Sequence, residues 1–262
     1  MKHVSMIATA VTTAALLAGC SGSDPSQSEV VAELRAATAA SPSTSPSPSP
    51  PFAGVRTGEI LKRTERDVAR ATSFHVVLNI VSQKGPLKVD LSLGRGLRAV
   101  GTITQDGHAV RIRRIRNDLW VRAGDGFWQE QVILPSAIPR VADRWVKMSR
   151  KNDLTGGFFD LTDLSAIRKD YVVDAVSGVS YTSRVAGQTI DGHRTVGLVA
   201  RARDILDDSE YRITLNVAGD GPAVPLRYVR QSSRKKHAET RLFSRWNEKV
   251  TVSPPTGAIT MG

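Results

Sequence analysis

The sequence predicts an α+β chain that is mainly antiparallel β: a strongly curved sheet of about eleven strands, a half-barrel whose concave face is covered by helices. Three observations lead to this. Two long blocks show period-two hydrophobic alternation and are punctuated by Gly- and Asx-rich turns. The stretch between them replaces alternation with short helical spacings and prolines. A sheet of this width curls or twists strongly, and curling leaves a concave side for the helices.

The elements follow in order. Residues 57–71 read as a helix, with Thr57 as N-cap, Glu59 in the first turn, and Ile60, Leu61, Thr64, Val68 and Ala71 on one stripe. After Ser73 the period changes: Phe74, Val76, Leu78 and Ile80 alternate with His75, Val77 and Asn79, as in a strand buried on one side. Leu87, Val89, Leu91 and Leu93 repeat the pattern, followed by strands at 99–105, 109–116 and 119–122. Gly94 and Gly96, Asp106-Gly107 and Asn117-Asp118 supply the turns of an antiparallel meander. Val132, Ile133, Ile138 and Val141 are spaced for short helical pieces around Pro135 and Pro139, and 161–169 reads as another helix. The second β block comprises 181–186, 193–201, 211–217, 225–231, 239–246 and 250–252.

The N-terminus is organised differently. Lys2 and His3 precede an uncharged, weakly apolar run, 4–18, too short to span a bilayer, which needs ~20 apolar residues. It ends in Leu17-Ala18-Gly19-Cys20, which resembles the bacterial lipobox with the cysteine at the modified position. Cys20 is the sole cysteine of the 262 residues, so no intramolecular disulfide staples the fold. Residues 41–51, SPSTSPSPSPP, favour extended polyproline II, a spacer of roughly 30 Å at ~3.1 Å per residue. The predicted organisation is a lipoprotein signal peptide over 1–19, the lipidated Cys20 and a Ser/Pro-rich linker over 20–54, and one globular domain over 55–262. Export places the chain at the extracytoplasmic face of a membrane and removes nucleic acid as a partner for its net charge of +11. Anionic headgroups and wall polymers remain.

Several phrases extend the reading: GTITQDG at 101–107, DLWVRAGDGFW at 118–128, RWVKMS at 144–149 and DLTDLSAI at 160–167. TIDGHRTVGL at 189–198, PLRYV at 225–229 and FSRWNEKVTVSPP at 243–255 follow in the same order. Behind a lipobox and a Ser/Pro linker, they resemble the actinobacterial lipoproteins with a LolA/LolB-like fold, the group related to the LppX and LprG lipoproteins. The resemblance covers most of 57–255. It implies an eleven-stranded bent sheet under helices and, in members that carry lipids, an apolar cavity between them. The basic content departs from a neutral-surfaced relative: Arg111, Arg113, Arg114 and Arg116 crowd one predicted strand and offer a basic surface.

Catalytic and metal motifs do not hold together. Residues 94–99, GRGLRA, have dinucleotide-fingerprint spacing but run into strand residues where a helix would have to start. Ser232 with Lys235 satisfies S-x-x-K only in a polar hairpin. His75, His108, His193 and His237 lack metal-ligand spacing, and Asp204, Asp207, Asp208 and Glu210 lack the central glycine of an EF-hand. No catalytic residue, metal or cofactor is predicted. Trp120, Phe127, Trp128, Trp145 and Trp246 serve core packing or line a ligand site.

The leading expectation is a monomeric, non-enzymatic carrier of a lipid or glycolipid, with Val76, Leu78, Ile80, Leu91, Ile112, Ile133, Ile138 and Ile167 lining its cavity. The alternative is an envelope accessory protein with a filled core that binds wall polymer or a protein through its basic surface. In either case Cys20→Ala should abolish the acyl mass and release the chain from the membrane fraction. Unchanged partitioning, followed by intact-mass spectrometry and fractionation, would contradict lipidation.

Overall fold

The computed structural model describes residues 49–82, 85–131, 135–149, 156–203, 209–234 and 238–260. Cys20, most of the linker, Ile133 and the Asp204, Asp207 and Asp208 cluster lie outside the described residues. In the compact unit Ser49–Gly262, Phe52 packs against the core and Arg194 donates to the Ser49 carbonyl at 3.1 Å.

Helix α1 spans Thr57–Arg70 and buries Ile60, Thr64 and Val68, the predicted stripe. Its cap differs from expectation. Arg56, in extended backbone, holds the N-cap position without a side-chain hydrogen bond, and Thr57 is already helical. The Thr57 hydroxyl instead accepts from Arg184 Nε at 3.3 Å.

Five antiparallel strands follow: β1 (Ser73–Ser82), β2 (Gly85–Gly94), β3 (Arg98–Gln105), β4 (His108–Ile115) and β5 (Asp118–Arg122). Asp106 and Gly107, with φ of 51° and 86°, form the two-residue hairpin turn between β3 and β4. Arg116, predicted in a strand, sits in the next turn with φ of 55°.

The connecting stretch contains α2 (Asp125–Glu130), a 3-10 turn at Pro135–Ala137, α3 (Ile138–Val141) and the short strand β6 (Val146–Met148). A helical run then covers 156–177: α4 (Gly156–Leu161), α5 (Leu164–Ile167), a π-helical stretch at Arg168–Val173 and α6 (Asp174–Ser177). Asp163 caps α5 by accepting from the amides of Ser165 and Ala166 at 2.8 and 3.4 Å.

The chain ends in β7 (Ser183–Val185), β8 (Thr189–Ile190), β9 (His193–Arg203), β10 (Glu210–Ala218), β11 (Pro225–Ser232), β12 (Glu239–Ser244) and β13 (Ile259–Thr260). The curved, unclosed sheet runs β13-β6-β5-β4-β3-β2-β1-β12-β11-β10-β9-β7, with β8 beside β9. All pairs are antiparallel except β13 with β6. Among the described residues it therefore holds thirteen strands where about eleven were expected. Three short pieces, β6, β8 and β13, join it, and 250–252 is not a strand.

Register arranges the inner face in rows. One row reads Phe243, Val76, Leu91, Gly101, Ile112, Val121 and Val146 across β12 and β1–β6. Apart from Gly101, every member is at most 2% exposed. Gly101 has φ of 155°, and a Cβ built on it would stand 2.0 Å from the Asp90 carbonyl oxygen.

On the outer face, His75 faces Ser92 across β1 and β2, with Nδ1 3.0 Å from the Ser92 hydroxyl and Nε2 3.4 Å from Asp90. The segment 245–258 crosses the ends of these strands. Asn247 accepts from the Thr72 amide at 2.8 Å, Ser73 donates to the Glu248 carbonyl, and Arg113 donates to the Ser253 carbonyl at 3.3 Å.

Gly101→Ala should cost about 2–4 kcal/mol, from a strained backbone and a methyl group forced against β2, read as a lower urea midpoint. An unchanged midpoint would contradict the close approach. Burial, reinforced by Arg245 and opposed by Asp90, holds the pKa of His75 below the ordinary 6.5. The unfolded chain therefore takes up this proton as pH falls through 6.5 while the folded chain resists it, so this part of the stability is present above 6.5 and lost below. Urea midpoints at pH 7.5 and 5.5 should show wild type losing more stability than His75→Asn; equal losses would refute the coupling.

Candidate ligand-binding interior and its helical cover

The inner face of a half-barrel must be removed from water, and here helices do it. Ile60, Thr64 and Val68 from α1, Phe127 and Trp128 from α2, and Phe159, Leu164, Ile167, Val172, Ala175 and Val176 from 156–177 are buried. Except for Thr64, all belong to one apolar cluster with the inner strand residues. Val76, Leu78, Leu91, Ile112, Ile138 and Ile167 meet in that cluster, and Ile80 packs against it. They are thus brought together in one cluster, while the three grooves described are lined by other residues.

Two arginines on the inner face hold the cover. Arg114 lies in β4 on the same side as Val110 and Ile112 and is only 1% exposed, so it is no part of a basic surface. Its Nη1 donates to the Phe159 carbonyl at 2.6 Å and to the Thr162 hydroxyl at 3.0 Å, and its Nε to the Arg116 carbonyl at 3.0 Å. The guanidinium also lies 5.1 Å from the Phe159 ring. Its neighbours Arg111 and Arg113 do face outward, Arg113 stacking 4.9 Å over Trp145.

Arg241, in β12, is the second clamp and was not anticipated from the sequence. Its Nη1 donates to the Tyr171 carbonyl at 2.9 Å and to Asp174 at 3.0 Å, while Nε and Nη2 meet Glu239 at 2.8 and 2.7 Å. Burial alone would lower its pKa, but the two carboxylates outweigh burial and hold it above the ordinary value. Arg241 also lies over the rings of Tyr228 and Tyr171, at 4.5 and 5.3 Å. Burial raises the pKa of both phenols. Period-two parity with Phe243 was the one available signal that Arg241 points inward.

The cover is tied to α1 as well. Arg168 donates to the carbonyls of Ala69 and Ala71 at 3.2 and 3.4 Å, where the helix ends with free carbonyl groups. Between these polar ties the contacts are apolar. The π-helical stretch Arg168–Val173 lies between the anchor points Thr162 and Asp174; such segments are rare and concentrate at functional positions.

The aromatic residues divide by face. Trp128 is buried and donates to the Ala123 carbonyl at 3.1 Å, and Trp246 sits against Phe74 with ring centroids 5.0 Å apart. Trp120 instead lies under Lys147, 5.9 Å from its ring centroid.

The Ser92–His75–Asp90 contact has the composition of a hydrolase triad, but Ser92 lies in β2 between β1 and β3, where ladder hydrogen bonds engage the backbone amides. That leaves no adjacent pair of amides to receive an oxyanion. Among the described residues no three His, Cys, Asp or Glu side chains converge on a metal position, and no helix is long and apolar enough to cross a membrane.

No family model matches the sequence, and no curated protein matches it. Two solved structures are similar in fold. LprF from Mycobacterium bovis superimposes with a TM-score of 0.51 at 16% identity, over 80% of this chain and 100% of that one. The Mycobacterium tuberculosis lipoprotein LppX does so with a TM-score of 0.47 at 18% identity, over 74% and 96%. The likeness to LprF shows the fold: the chain has this LolA/LolB-like fold.

Proposed function

We propose that this chain is an envelope-anchored, non-enzymatic carrier of an amphiphile, a lipid or glycolipid, taken up between the inner face of the sheet and the helical cover 156–177. The observation that carries this reading is the construction of the cover. Over a continuous apolar surface, the run is fastened by polar side chains at identifiable points, Arg114 at α4 and Arg241 at the start of α6, with a π-helical stretch between. Releasing the Arg241 contacts frees one end without breaking a strand ladder. Acyl chains then replace side-chain contacts of the same chemical kind, and the headgroup stays outside. Acylation of Cys20 and the Ser/Pro spacer keep the domain within reach of the membrane from which such a ligand comes.

The packed core favours a second reading, an accessory protein that uses only its surface: Trp128, Phe159 and Arg114 fill space beneath the helices. The two are separated by experiment. Chain purified from its host membrane is extracted with organic solvent and analysed by mass spectrometry, and the delipidated protein is offered a fluorescent fatty-acyl probe. The carrier should yield a stoichiometric amphiphile or take up the probe. Asp174→Ala, which removes a half-exposed carboxylate and leaves Arg241 its Glu239 partner, should speed uptake severalfold. Empty protein with no uptake in either form would eliminate the carrier and leave the accessory reading.

A further inference from the structure

We propose that the outer side of β9 and β10 carries a binding site for a phosphorylated group, with Arg201 and Arg212 as its paired ligands. The register sets these two residues directly opposite each other, and both are exposed. Directly opposed residues of an antiparallel pair have Cβ atoms about 4.5–5.5 Å apart, and like charges there are destabilising. Nothing in the fold requires the juxtaposition. Among the described residues neither arginine has an ion-pair or hydrogen-bond partner. The inward Arg241, by contrast, is matched by two carboxylates.

The pair opens on a groove of about 480 Å³, which Arg203, Gln231 and Ser233 also line. Glu210 is the one acid on its wall among the described residues, and it lies opposite Arg203, not opposite the pair. Gln231 lies opposite Arg212 on β11 and continues the same row of polar side chains.

Two planar guanidinium forks on directly opposed residues that line one groove can reach a common oxyanion. A tetrahedral phosphate oxyanion, with several acceptor oxygens and up to two charges, bridges both; a single carboxylate is filled by one fork. The volume admits a phosphate with a glycerol or sugar attached, within the range of small-ligand sites. The site uses outward-facing side chains and does not rest on the carrier reading, so either can fail alone.

The test uses the full-length chain in a neutral detergent, titrated calorimetrically with inorganic phosphate and with water-soluble dihexanoyl phosphatidylglycerol. Both ligands should bind, and Arg201→Gln or Arg212→Gln should each weaken binding at least tenfold. Arg111→Gln, whose residue faces Arg122 on β4 and β5, should not change it. Comparable affinities for the two ligands assign the site to soluble phosphate esters; at least tenfold tighter binding of the lipid assigns it to a membrane headgroup. Without phosphate, Arg212→Gln should melt at the same or a higher temperature than wild type, because a repulsion is relieved. It should also lose the rise that phosphate gives wild type. Absence of binding, an equal loss in Arg111→Gln, or a lower melting point for Arg212→Gln, showing that this arginine already has an anionic partner in the chain, would each overturn the proposal.

Discussion

The pairing of β1 with β12 is the contact on which the remaining architecture depends. It joins an N-terminal meander, β1–β6, to a C-terminal one, β9–β12, through residues nearly 170 positions apart in the chain, such as Val76 and Phe243. Because strand side chains alternate, a one-residue slip at this seam would turn every inward residue of one half to solvent. The observed register puts Phe243 beside Val76 and Arg241 beside Leu78 on the inner face. Thus the strand that completes the apolar floor also delivers the guanidinium that grips Tyr171 and Asp174 of the cover.

The energetics of that grip differ from those of the floor. Apolar rows stabilise by area removed from water, roughly 25 cal/mol per Å², and are indifferent to which apolar surface covers them. A buried guanidinium is selective: it costs several kcal/mol to desolvate, and only correctly placed acceptors offset this. Arg114 requires the Phe159 carbonyl and Thr162, and Arg241 requires Asp174 and Glu239. These two residues consequently choose one seating of the helical run among the many that hydrophobicity alone would allow.

Much of the floor was legible because period two is a local property. Phe74, Val76 and Leu78, and Val89, Leu91 and Leu93, are buried as their alternation implies. Strands of two or three residues, β6, β8 and β13, are too short to show a period, and they exist because a neighbouring strand offers a free edge. Conversely, Val250 to Val252 alternates without being a strand. Its segment is held by side-chain to backbone contacts across the outer face. Arg114 shares the parity of Val110 and Ile112, yet charge argued for the outside. What reversed that is an acceptor 45 residues away, which no local pattern reveals. Of the predicted lining residues, the strand members Val76, Leu78, Leu91 and Ile112 share one cluster for the same local reason. Whether they enclose space depends on side chains from other elements, Trp128 and Phe159 among them.

Register also sorts the net charge of +11. Formal charge treats all arginines alike, but their positions divide them into classes with different physical consequences. Arg114 and Arg241 are inward and hydrogen-bonded, so they contribute to the seating of the cover. Arg113 is outward and occupied, stacked on Trp145 and bonded to Ser253. Arg111 with Arg122, and Arg201 with Arg212, are outward and placed face to face. Packing explains the first class and local contacts the second. Neither explains the third, where strand pairing forces like charges together at a cost the fold gains nothing from, and at Arg201 and Arg212 a groove with further donors lies beside them. A repulsion retained at such a place is resolved by an anion supplied from outside the chain, and a phosphate oxyanion, with acceptors enough for both forks, has the chemistry to do so.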